Sequence, residues 1–329
     1  LVGSEMCIRD SPHIVDITFP YTKDFKKELH IPKDALYKGK PRSRIAYLCA
    51  SKRMDWEPVA WTEFDGKNIV FTDIQKGPVM RVATYERGRL RFWTDPFEIN
   101  VSNEFHFFTP SDSVQDVTLF AKYTLRADDM FLNRMIGGTF EGSNDPDFRE
   151  KEVLYLINEK PKRLQTVVQS YSSKPYRYVR YIGPKDSHCN IAEAAFYTPN
   201  DTASLKGKVI GTSGCFQKDG SHEYTNVFDG DVTTSFDYVE PSGGWSGLDL
   251  GIPKQIGRIV YTPRSYDNYI RSGDDYELFY CARRNNWKSL GDQRSKADSL
   301  IYIKIPVNAL LLLCNNTRGI QERIFVYTA

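Results

Sequence analysis

Apolar residues in this chain recur at every second position, and no long stretch repeats them at the 3.6-residue period of a helix. Val15, Ile17 and Phe19 line one face of VDITFP, and Ile45, Tyr47 and Cys49 line one face of RIAYLC. Successive side chains of a strand point to opposite faces, so this pattern asks for sheets with one covered face. Between 12 and 122 there are roughly eight short strand candidates separated by turn signals, the spacing of a sandwich. Two hairpins stand out. In WTEFDGKNIVF, Asp65-Gly66 supplies the positive φ angles of a two-residue turn, and ATYERGRLRFW offers Arg87-Gly88 for the same purpose. Only LRADDMFLNRM (125–135) reads as helical, with Leu125, Leu132 and Met135 on one side. The fold class expected is all-β.

Residues 1–11, LVGSEMCIRDS, read as a translated sequencing adapter and are set aside before fold reasoning. At 40% hydrophobic and 26% charged residues the composition is that of globular domains. The longest apolar run, 309–314, is far too short to span a bilayer. A net charge of +2, with acids interspersed among the bases, leaves no field to attract nucleic acid or an anionic membrane. Beyond Cys7 there are Cys49, Cys189, Cys215, Cys281 and Cys314, an odd set with no C-x-x-C, which argues against a disulfide framework or zinc. Apolar flanks suit them to packing as small hydrophobes, and a single Cys281–Cys314 bridge stays open.

The stretch 226–258, NVFDGDVTTSFDYVEPSGGWSGLDLGIPKQIGR, joins an acidic turn to a "DLG" strand. It is followed by TPRSYDNYIRSGDD (262–275), YELFY (276–280), a Trp287 turn, ALLLLC (309–314) and QERIFVY (321–327). In that order these segments resemble a discoidin, or coagulation-factor type C, domain. The resemblance implies a galactose-binding-like jelly-roll β-sandwich that binds ligands through loops at one end. IAEAAFYT (191–198) and IQERIFVYT (320–328) share I-x-E-x-x-F, and each follows a hydrophobic strand. With FEGSND (140–145), this makes the preceding unit resemble the later half of the same fold. The expected organisation is therefore a β-sandwich spacer (12–124), a half discoidin-like unit (125–198) and a complete discoidin-like domain (199–329), divided at the turn-rich TPNDTASLKG.

Asp229 and Asp231 flank Gly230, and with Thr234 they crowd hard oxygen donors into one turn, the chemistry that suits calcium. The other reading is an Asx-type turn held by its own side chains. The resemblance implies a structural calcium completed by a glutamate of the last strand, Glu322. The first repeat has only Glu193 and no FDGD equivalent, so no ion is expected there. Trp245 is read as a core aromatic pointing with Leu248 and Leu250, with ligand stacking as the alternative. Arg264, Tyr266, Asn268, Tyr269 and Arg271 concentrate donors and aromatic faces in one connection, opposite Tyr238 and Glu240. An aromatic platform with Arg and Asn donors is how sugars are held, and binding residues gather on loops carried by a rigid scaffold. The alternative is that these aromatics pack on one another. The family resemblance implies a galactose-like sugar.

No G-x-S-x-G, H-E-x-x-H or comparable motif surrounds His13, His30, His106, His188 or His222, so no enzyme activity is expected. Beyond the last domain, AYLCASKRMDWEPVAW, RMIGGTFEGSNDPDF and YRYVRYIGP resemble the C-terminal region of secreted or surface lipoproteins of Bacteroidetes-type bacteria, with a transglutaminase-like domain upstream. That resemblance implies a non-catalytic accessory region at the cell surface. Its partners would be a glycan or glycoconjugate and an upstream catalytic domain in the same protein. A structural or protein-interaction array is the competing reading, and a lipid-binding discoidin fits the loop residues less well.

Overall fold

The computed structural model describes residues 25–39, 41–64, 68–100, 102–123, 130–265, 267–283, 287–319 and 323–327. The strand read at 15–19 lies outside them. The protein is an all-β sandwich fold of antiparallel sheets. Among the described residues the α-helix is the single turn Met130–Asn133, the end of the helical segment read at 125–135. No helix there is long and apolar enough to cross a membrane.

The chain forms two compact units, one from Leu1–Thr124 with Ile270–Ala329, the other from Leu125–Tyr269. In the first, Ile45–Lys52 is central to a six-stranded sheet, hydrogen-bonded to Asp55–Glu63 and Met80–Glu86. Leu48 and Val82 of that sheet bury against Leu29 and Phe71 of the strand pair Phe25–His30 and Val70–Gln75. A second core joins Val117 and Tyr302 of the paired strands Val114–Leu119 and Leu300–Pro306 to Tyr276, Leu278, Leu311 and Leu313. The Arg87-Gly88 hairpin forms as read: both residues have positive φ, 51° and 76°, and Glu86 pairs with Arg89. Asp65-Gly66 lies outside the described residues, and its flanking strands pair elsewhere, Asp55–Glu63 with Ile45–Lys52 and Val70–Gln75 with Phe25–His30. Burial of Phe71 and Ile74 in the first core decides that pairing over the local turn.

The second unit packs a five-stranded sheet on a three-stranded one. The larger runs Lys151–Leu156, Thr139–Ser143, Pro175–Ile182, Trp245–Gln255, Lys208–Gly211; the smaller runs Thr166–Gln169, Arg258–Pro263, Ile191–Tyr197. Phe140, Val179, Phe196, Phe236, Leu248 and Ile259 fill the space between, each at most 3% exposed. This corrects the expected division at 198/199, which falls inside one sandwich. Pro175–Ile182 would be left as an open edge without Trp245–Gln255, and the edge strand Ile191–Tyr197 would lose its paired strand without Arg258–Pro263. The half unit is completed by strands assigned to the next domain, and residues 270–327 close the other unit. Gly247 shows how closely the strands meet, since a Cβ there would stand 2.2 Å from the Val179 carbonyl oxygen.

Candidate functional site

The registers Thr139↔Ile182, Ile182↔Trp245, Gly211↔Ser246 and Ile191↔Pro263 bring the connections 183–190, 212–244 and 264–269 and the turn 130–138 to one end of the second unit. A chain of polar side chains runs through this end. Arg134 Nη1 donates to Asn190 Oδ1 at 2.7 Å, Asn190 Nδ2 donates to Asp237 Oδ1, and Arg264 Nη1 donates to Asp237 Oδ2 at 2.9 Å. Asn190 is fully buried and Asp237 is 8% exposed, so the carboxylate depends on these charge-assisted bonds for solvation. The Arg264 guanidinium also lies 5.1 Å from the centre of the Phe131 ring. Arg134, half-buried, lines a cleft of about 450 Å³ together with Asn133, Lys185 and Asp186.

Beside this chain, His188 Nδ1 lies 2.9 Å from the Tyr238 carbonyl oxygen. A carbonyl only accepts, so Nδ1 is the donor of this bond. The ring meets Phe216 edge-on at 5.0 Å, and Phe216 is 55% exposed. Asp186, His188 and Cys189, with Ser187 between the first two, take positive φ (58°, 54° and 70°), which non-glycine residues adopt at a cost of about 1 kcal/mol or more each. Backbone hydrogen bonds from Ser187 and His188 to the Pro241 carbonyl, and from Tyr238 to the His188 carbonyl, hold this segment.

The acidic turn follows the 3-10 segment Tyr224–Phe228. Gly230 takes φ +83°, Asp229 Oδ1 accepts from Asp231 N at 2.7 Å, and Asp229 Oδ2 accepts from Thr234 Oγ1 at 2.8 Å. Asp231 Oδ1 is turned back onto Thr233, accepting from its N and Oγ1 at 2.9 and 2.6 Å. These are Asx-type turns. The glutamate that meets the turn is Glu193, whose Oε1 accepts from Gly230 N at 2.9 Å. Burial first, then the hydrogen bond and negative charge of Asp229, push the Glu193 carboxyl up to about 8. The acidic turn thus meets the glutamate of the first repeat. Glu322, expected in that place, lies outside the described residues. Two carboxylates pressed together, with the Thr234 hydroxyl adjacent, match part of the oxygen set of a hard cation. No group of three or more His, Cys, Asp or Glu side chains converges on one point among the described residues.

The other expected site residues scatter. Arg264 is committed to Asp237 and is 16% exposed in its side chain. Asn268 and Tyr269 are buried, 1% and 7% exposed, so they are not loop-tip donors. Thr262 and Pro263 belong to a strand, and the turn after them folds inward, with Tyr269 N bonded to the Asp267 carbonyl at 2.8 Å. Tyr266 lies outside the described residues. Tyr238 is half-buried and packs on the core, its ring 5.9 Å from that of Phe236, and Glu240 is exposed. Trp245 is not a core residue. It stands three positions from Leu248, hence on the opposite face of its strand, where its ring lies 5.7 Å from Phe148 and 5.1 Å from the Arg180 guanidinium. Arg180 in turn donates through Nε to Glu141 at 2.8 Å. Arg134, Asn190, Asp237 and His188 went unread as site residues, since no local motif links positions so far apart. Glu193 was legible through its I-x-E-x-x-F repeat. Among the described residues Cys49, Cys189, Cys215, Cys281 and Cys314 form no disulfide, and burial pushes the thiols of Cys49 and Cys281 up to about 12 and about 11.

No family model matches the chain, and neither a curated protein nor a solved structure does.

Proposed function

We propose that the chain is a non-catalytic accessory region of a secreted or surface protein, and that its second unit binds a carbohydrate at the loop end. The observation that carries this reading is the half-buried Arg134 lining an open cleft, held by Asn190 and backed by the Asp237–Arg264 pair. Positioned donors on a rigid scaffold suit hydroxyl recognition, and the apolar Met130 and Ile136 on the same wall suit the C–H face of a sugar ring. A calcium ion bound by Asp229 and Glu193, with Thr234 and turn carbonyls, would brace the connection behind this end. The test is a glycan array on the purified protein followed by calorimetry on wild type and Arg134→Ala. Binding that Arg134→Ala weakens supports the reading; absence of any glycan ligand for the folded protein removes it.

A second reading, a protein-interaction array beside a catalytic domain, draws on one surface. Ile301 and Ile303 are 64% and 63% exposed on the strand Leu300–Pro306, and Val114 on its partner strand is 55% exposed.

A further inference from the structure

The first unit contains a second cleft, of about 560 Å³, within the range of small-molecule sites. Its polar centre is Asp95, only 8% exposed. Tyr37 donates its hydroxyl to Asp95 Oδ1, and Thr109 donates to Oδ2 at 2.8 Å, so each oxygen keeps one lone pair for a further donor. Behind this pair sits Arg81, with no exposed surface. Its Nε and Nη2 donate to the Thr94 carbonyl at 3.1 and 3.0 Å, and Nη2 lies 3.4 Å from the Tyr37 oxygen. The guanidinium packs against the rings of Phe92 and Trp56, at 4.4 and 5.3 Å from their centres, and these rings meet each other edge-on at 5.8 Å. Tyr37 therefore accepts from Arg81 and donates to Asp95, which fixes the carboxylate's position from the rear. At the front, Arg283 Nε stands 3.7 Å from Asp95 Oδ2 while its side chain is 66% exposed, leaving the terminal nitrogens to solvent.

A buried, prearranged carboxylate with Arg283 beside it and Arg81 behind its Tyr37 donor has a definite ligand preference. With Lys38 and Asp34 on the rim, three cations stand against two carboxylates. The surplus is positive, and Arg283 offers the planar fork that matches a carboxylate. Arg283 stands beside Asp95, and Tyr37 and Thr109 already donate to it, so its spare lone pairs suit hydroxyl donors better than an ammonium ion. Leu36 and Phe107 supply apolar wall for a ring's C–H face. We infer that this cleft binds an acidic monosaccharide, a polyhydroxylated ring bearing one carboxylate, with the carboxylate on Arg283 and ring hydroxyls on Asp95. The site belongs to the other unit and does not rest on glycan binding near Arg134.

The experiment is titration of the full chain with D-glucuronate, D-glucose and acetate, followed by calorimetry and by ligand-observed NMR. Glucuronate is expected to bind more tightly than either glucose or acetate, because only it engages both ends of the cleft. Removing a charge-assisted bond should weaken binding at least about tenfold in Arg283→Ala, an exposed change that leaves the core intact. Asp95→Asn should weaken it by a similar factor, with a thermal unfolding midpoint recorded alongside; if that variant unfolds, Arg283→Ala alone decides. Glucuronate binding no tighter than glucose, or indifferent to Arg283→Ala, overturns the assignment.

Discussion

Arg264 and Asp237 form an ion pair at 2.9 Å with both side chains largely buried, and Asn190 holds the second carboxylate oxygen. An arginine in a connection at the end of a sandwich reads from sequence as a ligand donor. Here its position is spent on a neighbouring carboxylate.

Arg264→Ala is therefore expected to act on stability before binding. It leaves Asp237 buried without its cation, a type of change that costs about 3 kcal/mol. Arg264→Lys restores the charge without the fork and should recover part of the loss. Denaturant unfolding of the three proteins tests this. An Arg264→Ala protein with wild-type stability and lost glycan affinity would return Arg264 to the role of ligand donor.

Glu193 and Asp229 give a pH dependence with a definite sign. The Glu193 carboxyl is held at about 8 in the folded protein, above its ordinary value of 4.5, so the folded state binds the proton more tightly than the unfolded chain. Its contribution is fully present below about 4.5 and is lost as pH rises through about 8. Without divalent cation, the thermal midpoint should fall across that window, and Glu193→Gln should flatten the slope. Calcium at a hundredfold above its dissociation constant should add about 2.7 kcal/mol and remove most of the slope, since it replaces the shared proton. Midpoints identical with calcium and with chelator would leave the turn as a purely hydrogen-bonded structure.

The all-β class was legible because period-two alternation marks strands whatever their partners. The partners were not, because an apolar face specifies only that it be covered. Asp65-Gly66 carries the strongest local hairpin signal in the chain, yet the strands beside it pair with Ile45–Lys52 and Phe25–His30. The acidic turn was visible as a motif. Its partner Glu193, at Gly230, stands 37 positions away in sequence, across the boundary the turn-rich segment suggested. Asn190 and Asp237, 47 positions apart, carry no local pattern at all.

Trp245 offers a comparison between the two faces of one sheet. It covers the Arg180–Glu141 pair on the outer face, whereas Phe140 fills the interior with no exposed surface. Phe140→Ala should cost about 3–5 kcal/mol by opening a cavity. Trp245→Ala opens no enclosed cavity, and its cost should be about half as large, coming from lost cation–π contact and from solvent reaching a buried ion pair. Paired chemical unfolding curves measure the difference. Equal losses would place Trp245 in the core after all.

The two-unit division makes a prediction about excised pieces. Residues 125–269 contain both sheets of the second sandwich and the whole of its core, including Phe140, Phe196 and Leu248. That fragment should fold alone, with one cooperative thermal transition and dispersed amide resonances. Residues 199–329 resemble a complete domain in sequence, but they would carry Trp245–Gln255 without Pro175–Ile182, and Arg258–Pro263 without either of its neighbours, Thr166–Gln169 and Ile191–Tyr197. Unpaired edges and a half-built core lead to association instead of folding. Expression of both fragments, followed by size-exclusion chromatography and calorimetry, decides between them. A monomeric, cooperatively folded 199–329 beside an unfolded 125–269 would restore the boundary at 198/199 that the turn formers mark.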